Sequence, residues 1–179
     1  HHFFGADKQW VIEEGSVFEA TTALNNSQAI ALWKIRETIP EAQKPEGASI
    51  KHDIAVPISL TAAFVEDATA AVLSNMPGAR PCVFGHLGDG NIHFNITSPE
   101  NMTKTHFLDK TDHINKLVFD VSHKLGGSIS AEHGIGHLKR EKIHQYKDAT
   151  EINLMRMIKQ AIDPKGILNP GKVIKVSDY

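Results

Sequence analysis

Cysteine is almost absent from this 179-residue chain, in which Cys82 stands alone. A lone cysteine cannot close an internal disulfide, so no disulfide framework holds the fold. Its setting, Pro81-Cys82-Val83-Phe84, reads as a buried strand position and fits a cytoplasmic location. Long hydrophobic runs are missing too. No stretch approaches the roughly 20 apolar residues that cross a bilayer, and the first residues carry no signal-peptide pattern. An excess of one charge is also lacking. Nineteen Lys and Arg against 21 Asp and Glu leave a net charge of −2, which argues against nucleic acid or an anionic membrane as partner. There is no internal repeat, no low-complexity segment and no glycine-rich dinucleotide motif. What remains is ordinary for a soluble globular domain: 41% hydrophobic and 22% charged residues over a one-domain length. His1-His2 reads as the remnant of a purification tag, so the chain is expected to begin mid-protein.

Two glycine-flanked segments stand out against this plain background. They are Gly85-His86-Leu87-Gly88-Asp89-Gly90-Asn91-Ile92-His93 and Ser130-Ala131-Glu132-His133-Gly134-Ile135-Gly136. Glycine permits sharp turns and close approach of a ligand. Packing alone rarely selects His and Glu for such positions.

The rest of the pattern supplies a frame. Ser27 is expected to cap a helix over 28–38, with Ile30, Trp33 and Ile35 as its apolar stripe and Pro40 as its stop. Trp10 and Trp33 read as core. A strand over 48–57 follows, then a helix from Ser59 to about Met76, broken by Pro77-Gly78. Strands over 81–86 and 91–97 flank a hairpin turn at 87–90, where Asp89-Gly90 is a favoured pair. A long helix over 104–125 ends at Gly126-Gly127, and 128–132 reads as a short fourth strand. Helices over 139–146 and 151–162 precede a tail with turns at 163–166 and 169–172. The order strand–helix–strand–strand–helix–strand predicts an α+β fold. Its antiparallel sheet is of the split βαβ, ferredoxin-like type, with flanking helices and a C-terminal helical tail. On that topology Lys51, His86, His93, Glu132 and His133 are expected along one edge of the sheet.

Two neutral imidazoles and a carboxylate form a common metal set with open positions. His86, His93 and Glu132 are therefore candidate ligands for a divalent ion. The open positions suit the carboxylate and C2 hydroxyl of a 2-hydroxy acid, whose hydroxyl a metal would acidify. His133 is a candidate base, or a fourth ligand if the strand has already turned. Arg36 and Lys51 can meet a substrate carboxylate, and Asn95 shares the His93 face. Asp89 is expected to fix the hairpin turn. His52, His106, His113, His123, His137 and His144 read as surface or packing residues. These residues leave a metal-dependent hydrolase and a non-catalytic, metal-stabilised interaction module open beside an oxidoreductase.

The two segments, together with Asp163-Pro164-Lys165-Gly166-Ile167-Leu168-Asn169-Pro170-Gly171-Lys172, resemble the C-terminal domain of the FAD-linked oxidases and dehydrogenases. That group includes D-lactate dehydrogenase, D-2-hydroxyglutarate dehydrogenase and the glycolate oxidase flavin subunit, within the vanillyl-alcohol oxidase superfamily. The resemblance covers nearly the whole chain. It implies flavin-dependent oxidation of a D-2-hydroxy acid to the 2-oxo acid. His86, His93 and Glu132 would hold zinc or manganese and His133 would act as base. Arg36, Lys51 and Asn95 would contact substrate, and Asn169 would lie close to the flavin. It further implies that FAD is held mainly by an N-terminal domain absent from this chain, so residues 1–179 are the substrate and metal domain. On this reading the fragment alone is inactive; a homodimer is compatible with it, and the electron acceptor stays open. In the 2-hydroxyglutarate enzymes a hydroxyl residue tends to stand four positions after the arginine. Here that position is Pro40, whose side chain has no donor.

Overall fold

Residues 21–175 are described by the computed structural model, and they fall into two units that divide between Ala42 and Gln43. Trp10 and His1-His2 lie outside the described residues. The first unit contains α1 (Asn26–Glu37) and the single turn α2 (Ile39–Ala42). The helix starts earlier than expected because Asn25, not Ser27, is its cap: the Asn25 side chain accepts from the Gln28 N–H at 3.0 Å. Pro40 does not end helical structure. It falls in the first turn of α2, where a missing N–H is tolerated. The expected apolar stripe is not buried. Ile30, Trp33 and Ile35 are all exposed, which corrects the reading of Trp33 as core.

The second unit is built on an antiparallel sheet. Its strands are β1 (Ser49–Ile50), β2 (Asp53–Ala55), β3 (Arg80–His86) and β4 (Asn91–Thr97). β4 is central: β1 and β2 pair with one side of it and β3 with the other. The strand expected over 48–57 is thus present as two short pieces in one unbroken register, interrupted at Lys51 and His52. The helix α3 (Thr61–Asn75) crosses from β2 to β3. A tight turn then leads from β3 into β4, as the Asp89-Gly90 pair predicted. Asp89 does fix that turn, its carboxylate accepting from the Asn91 N–H at 3.0 Å. Gly90 is required there. Its φ is +74°, and a Cβ would lie 2.0 Å from the Val56 carbonyl oxygen.

The expected long helix over 104–125 is two helices, α4 (Lys104–Leu108) and α5 (Thr111–Lys124). Thr103 caps the first, and the Thr111 hydroxyl closes the break by donating to the Leu108 carbonyl at 2.6 Å. Gly126-Gly127 caps α5 as expected, with the Gly127 N–H bonded to the Ser122 carbonyl. The fourth strand is the main departure. It shrinks to one bridge between Ala55 and Ser128, after which the chain leaves the ladder. The order is still that of a split βαβ sheet, with a single bridge in place of the last strand. α6 (Arg140–Tyr146) and α7 (Ala149–Ile162) follow, the latter opened by a capping box between Asp148 and Glu151. No described helix is long and apolar enough to cross a membrane.

Alternation along β4 gives the sheet two unlike faces. Ile92, Phe94 and Ile96 point to one side and pack with Ile54, with Phe64, Ala68 and Val72 of α3, and with Ile114 and Val118 of α5. This is the core. Fully burying a residue such as Phe64 or Phe94 contributes about 2–3 kcal/mol. Asn91, His93, Asn95 and Thr97 point to the other side. His52 belongs to the packing residues: it is 2% exposed, its Nδ1 lies 2.8 Å from the Phe94 carbonyl, and its ring meets the edge of Phe119. Cys82 lies in β3 but is only half-buried.

Candidate metal centre and base

The polar face of β4 carries the site. His93 is the third residue of β4, with Asp53 across from it on one side and Phe84 on the other. His86 is the last residue of β3 and reaches the same face. Glu132 comes from the loop after the Ser128 bridge. Its Oε1 lies 3.2 Å from His86 Nε2 and 3.9 Å from His93 Nε2. One ligand atom from each of the three residues falls within 4.8 Å of the other two. The residues read from the sequence as a metal set are therefore together, although on a face of the sheet rather than at its edge. Two imidazole nitrogens and a carboxylate oxygen converging in this way fit a divalent ion.

His133 stands beside them. Its ring stacks on His93, with centroids 6.1 Å apart and planes 28° from parallel, and it is largely open to solvent. His93 is the most enclosed of the group. Burial pushes its pKa down from the ordinary value, against the pull of the Glu132 and Asp53 carboxylates. At neutral pH it therefore presents the neutral ring that a metal requires.

The sequence reading missed Asp53. This carboxylate is 2% exposed. One oxygen, Oδ2, accepts from the N–H groups of Ala131, Glu132 and His133 at 3.1, 2.9 and 2.8 Å. The other, Oδ1, accepts from the Asn91 side chain at 2.8 Å. Burial would raise its pKa, but these hydrogen bonds, led by the His133 N–H, hold it below the ordinary carboxylate value. They also account for where the fourth strand stops: the Ala131 N–H is shared between this side chain and the Asp53 main-chain carbonyl at 3.2 Å, and the Glu132 and His133 N–H groups turn to the side chain alone. The one signal in the sequence was a charged residue among the apolar positions Ile50, Ile54 and Val56. Further bonds brace the loop. Ser130 Oγ donates to the Gly134 carbonyl, and the half-buried Lys139 ammonium donates to the Ile129 carbonyl, each at 2.8 Å.

The other candidates are spread more widely. The register pairing Ser49 with Thr97 and Asp53 with His93 puts Lys51 across from Asn95 on the site's face, and Lys51 is exposed. Asn95 is buried, and its amide nitrogen donates to Gln43 Oε1 at 2.8 Å. Gln43 in turn donates to Thr97 Oγ1 at 3.0 Å. Arg36 lies on α1, in the first unit. Asn169 takes a left-handed backbone, φ 47°, in the tail. That tail is tied to the site loop where the Val173 N–H meets the Gly136 carbonyl at 2.9 Å, and Arg140 holds the Gly171 carbonyl.

The geometry agrees with a family-level match. Residues 9–173 match the model of the FAD linked oxidases, C-terminal domain. The chain belongs to this family. It is 39% identical over 162 residues to a D-2-hydroxyglutarate dehydrogenase of Stutzerimonas stutzeri, covering 90% of this chain and 35% of that protein. A probable mitochondrial D-2-hydroxyglutarate dehydrogenase of Oryza sativa subsp. japonica is 40% identical over 169 residues, covering 93% of this chain and 28% of its own length. A D-2-hydroxyglutarate–pyruvate transhydrogenase of Saccharomyces cerevisiae is 37% identical over 165 residues, covering 88% and 32%. The chain thus spans about a third of the length of these relatives.

Proposed function

We propose that this chain is the metal- and substrate-binding part of an FAD-dependent dehydrogenase that oxidises a D-2-hydroxy acid to the 2-oxo acid. The observation that carries the proposal is the convergence of His86, His93 and Glu132 with the His133 ring stacked against them. In this reading those three residues hold zinc or manganese. When bound, the metal supplies Lewis acidity toward the substrate's C2 hydroxyl, and FAD, held by the remainder of the polypeptide, supplies an acceptor for the electrons. His133 takes the hydroxyl proton. The exposed Lys51 ammonium, on the same face, draws the substrate carboxylate, with Arg36 as the second cation offered to it. Asn95 holds the floor of the site beside His93. Of this chain's residues, Asn169 is the one offered to the flavin.

The names of the relatives favour 2-hydroxyglutarate, while Pro40 removes one hydroxyl donor expected for its second carboxylate. The test is reduction of an artificial dye by the flavin-loaded protein with D-2-hydroxyglutarate, D-lactate or glycolate as substrate. Turnover of at least one, lost on metal removal and restored by zinc or manganese, is expected. Ester or amide hydrolysis in its place would reverse the reading. The 179-residue chain alone is expected to bind metal and oxidise none of the three. Metal content provides the second check: His86→Ala should hold much less than wild type, and equal content would contradict the ligand assignment.

A further inference from the structure

We propose that Asp53 is the positioning residue that assigns Glu132 to the metal and His133 to the proton, an inference that rests on the reading of His133 as base. Neighbouring residues of an extended strand point to opposite sides. Glu132 and His133 are neighbours, yet one reaches His86 and the other stacks on His93. The reason is that one carboxylate oxygen gathers three successive N–H groups. Residues 131–133 curl around Asp53 Oδ2, and the curl brings both side chains to the polar face.

The same oxygen lies 3.7 Å from His133 Nδ1. That is longer than a hydrogen bond but within reach of the charge. A negative charge on that side favours a proton on Nδ1 and leaves the Nε2 lone pair free to accept one. The half-buried Lys139 feels this charge from a distance but is bonded to the Ile129 carbonyl, so it does not require the carboxylate as a hydrogen-bond partner. The carboxylate's N–H partners could be met by a neutral acceptor, and its other oxygen is held by a neutral amide, that of Asn91.

Asp53→Asn and Asp53→Ala separate the two roles. Asn keeps an oxygen for the N–H groups and removes the charge; Asn91 Oδ1, buried without a partner, can meet the new amide. Ala removes both. Each variant of the 179-residue chain is titrated with Co(II), read by visible absorption, and the His133 tautomer is read from its ring 15N shifts in the metal-free protein. For Asn, Co(II) affinity within about threefold of wild type is expected, with the tautomer shifted from Nδ1–H toward Nε2–H. For Ala, Co(II) affinity should fall about 10- to 100-fold, as for other groups that orient metal ligands. In the flavin-loaded protein, Asp53→Asn should lower kcat on the order of 100-fold and leave KM within a few-fold.

An unchanged tautomer in Asp53→Asn overturns the proposal, as does wild-type Co(II) affinity in a folded Asp53→Ala. If Asp53→Ala does not fold by circular dichroism, Asp53→Asn decides alone. Failure of the 2-hydroxy acid reading would look different: the wild type would reduce no dye, while both spectroscopic results would stand.

Discussion

Asp53 and Asp163 use the same device in two different loops. Each is a buried carboxylate that curls the chain by collecting consecutive N–H groups, 131–133 for Asp53 and 167–168 for Asp163. They differ in how the charge is met. Lys159 sits 2.6 Å from Asp163 and is the leading cause of its lowered pKa. At Asp53 the ion-pair partner is the His133 ring, and the pKa is held down by hydrogen bonds. A carboxylate cancelled by its own lysine shapes a turn and no more. A carboxylate fixed by neutral donors keeps a field that a neighbouring side chain feels. The local pattern of hydrogen bonds is therefore shared, but no lysine is bonded to Asp53: the nearby Lys139 feels its charge and donates to the Ile129 carbonyl instead.

The strongest way to break this comparison is Asp53→Ala. It orphans the Glu132 and His133 N–H groups at about 1–3 kcal/mol each, while the Ala131 N–H keeps the Asp53 main-chain carbonyl, so a loss on the order of 3 kcal/mol is expected from urea unfolding at pH 7. A loss below 1 kcal/mol would mean the loop holds itself. Acid titration of stability comes next. Both aspartates have lowered pKa values, so their contribution is present above about pH 4 and is lost as pH falls through their folded values. A decline at higher pH has another source, the buried His52, whose pKa is lowered to about 4 chiefly by desolvation. The unfolded chain takes up its proton near 6.5 and the folded one resists until about 4. Stability should therefore drop by roughly 2 to 3 kcal/mol between pH 7.5 and 4.5. His52→Phe should flatten that window. An undiminished slope in the variant would assign the protons elsewhere.

Smaller effects sharpen the contrast. Glu132→Gln should weaken zinc binding by about 100-fold while changing the urea midpoint little, because its side chain is half exposed. Asp163→Asn should speed amide exchange at Ile167 and Leu168 and leave metal affinity unchanged. Altered affinity there would tie the tail to the site more closely than the hydrogen bonds suggest.

The legibility of this molecule in its sequence follows the range of the forces involved. His86, His93, Glu132 and His133 were readable because glycines in the same short segments mark their turns. The split βαβ order was readable because Ile92, Phe94 and Ile96 alternate and Pro77-Gly78 and Gly126-Gly127 punctuate. The loss of the fourth strand was not readable, because its cause is the Asp53 carboxylate, 79 positions before Glu132. The α4–α5 break hid for a similar reason: a threonine hydroxyl makes it, inside a window whose apolar period runs on. Edge and face were confused because a strand order fixes neighbours, while the level at which side chains meet depends on the length of each ladder.

β3 has one further consequence. Among the described residues it pairs with β4 alone, so it is an edge strand, and alternate residues turn their backbone groups to its outer flank. Between Arg80 and His86 the strand carries no charge, only Pro81, Cys82, Val83, Phe84 and Gly85, and proline lacks a backbone donor. Such a border is a template for aggregation. A lysine at Val83, on the core-facing register but 36% exposed, is the economical place to protect the chain in concentrated solution.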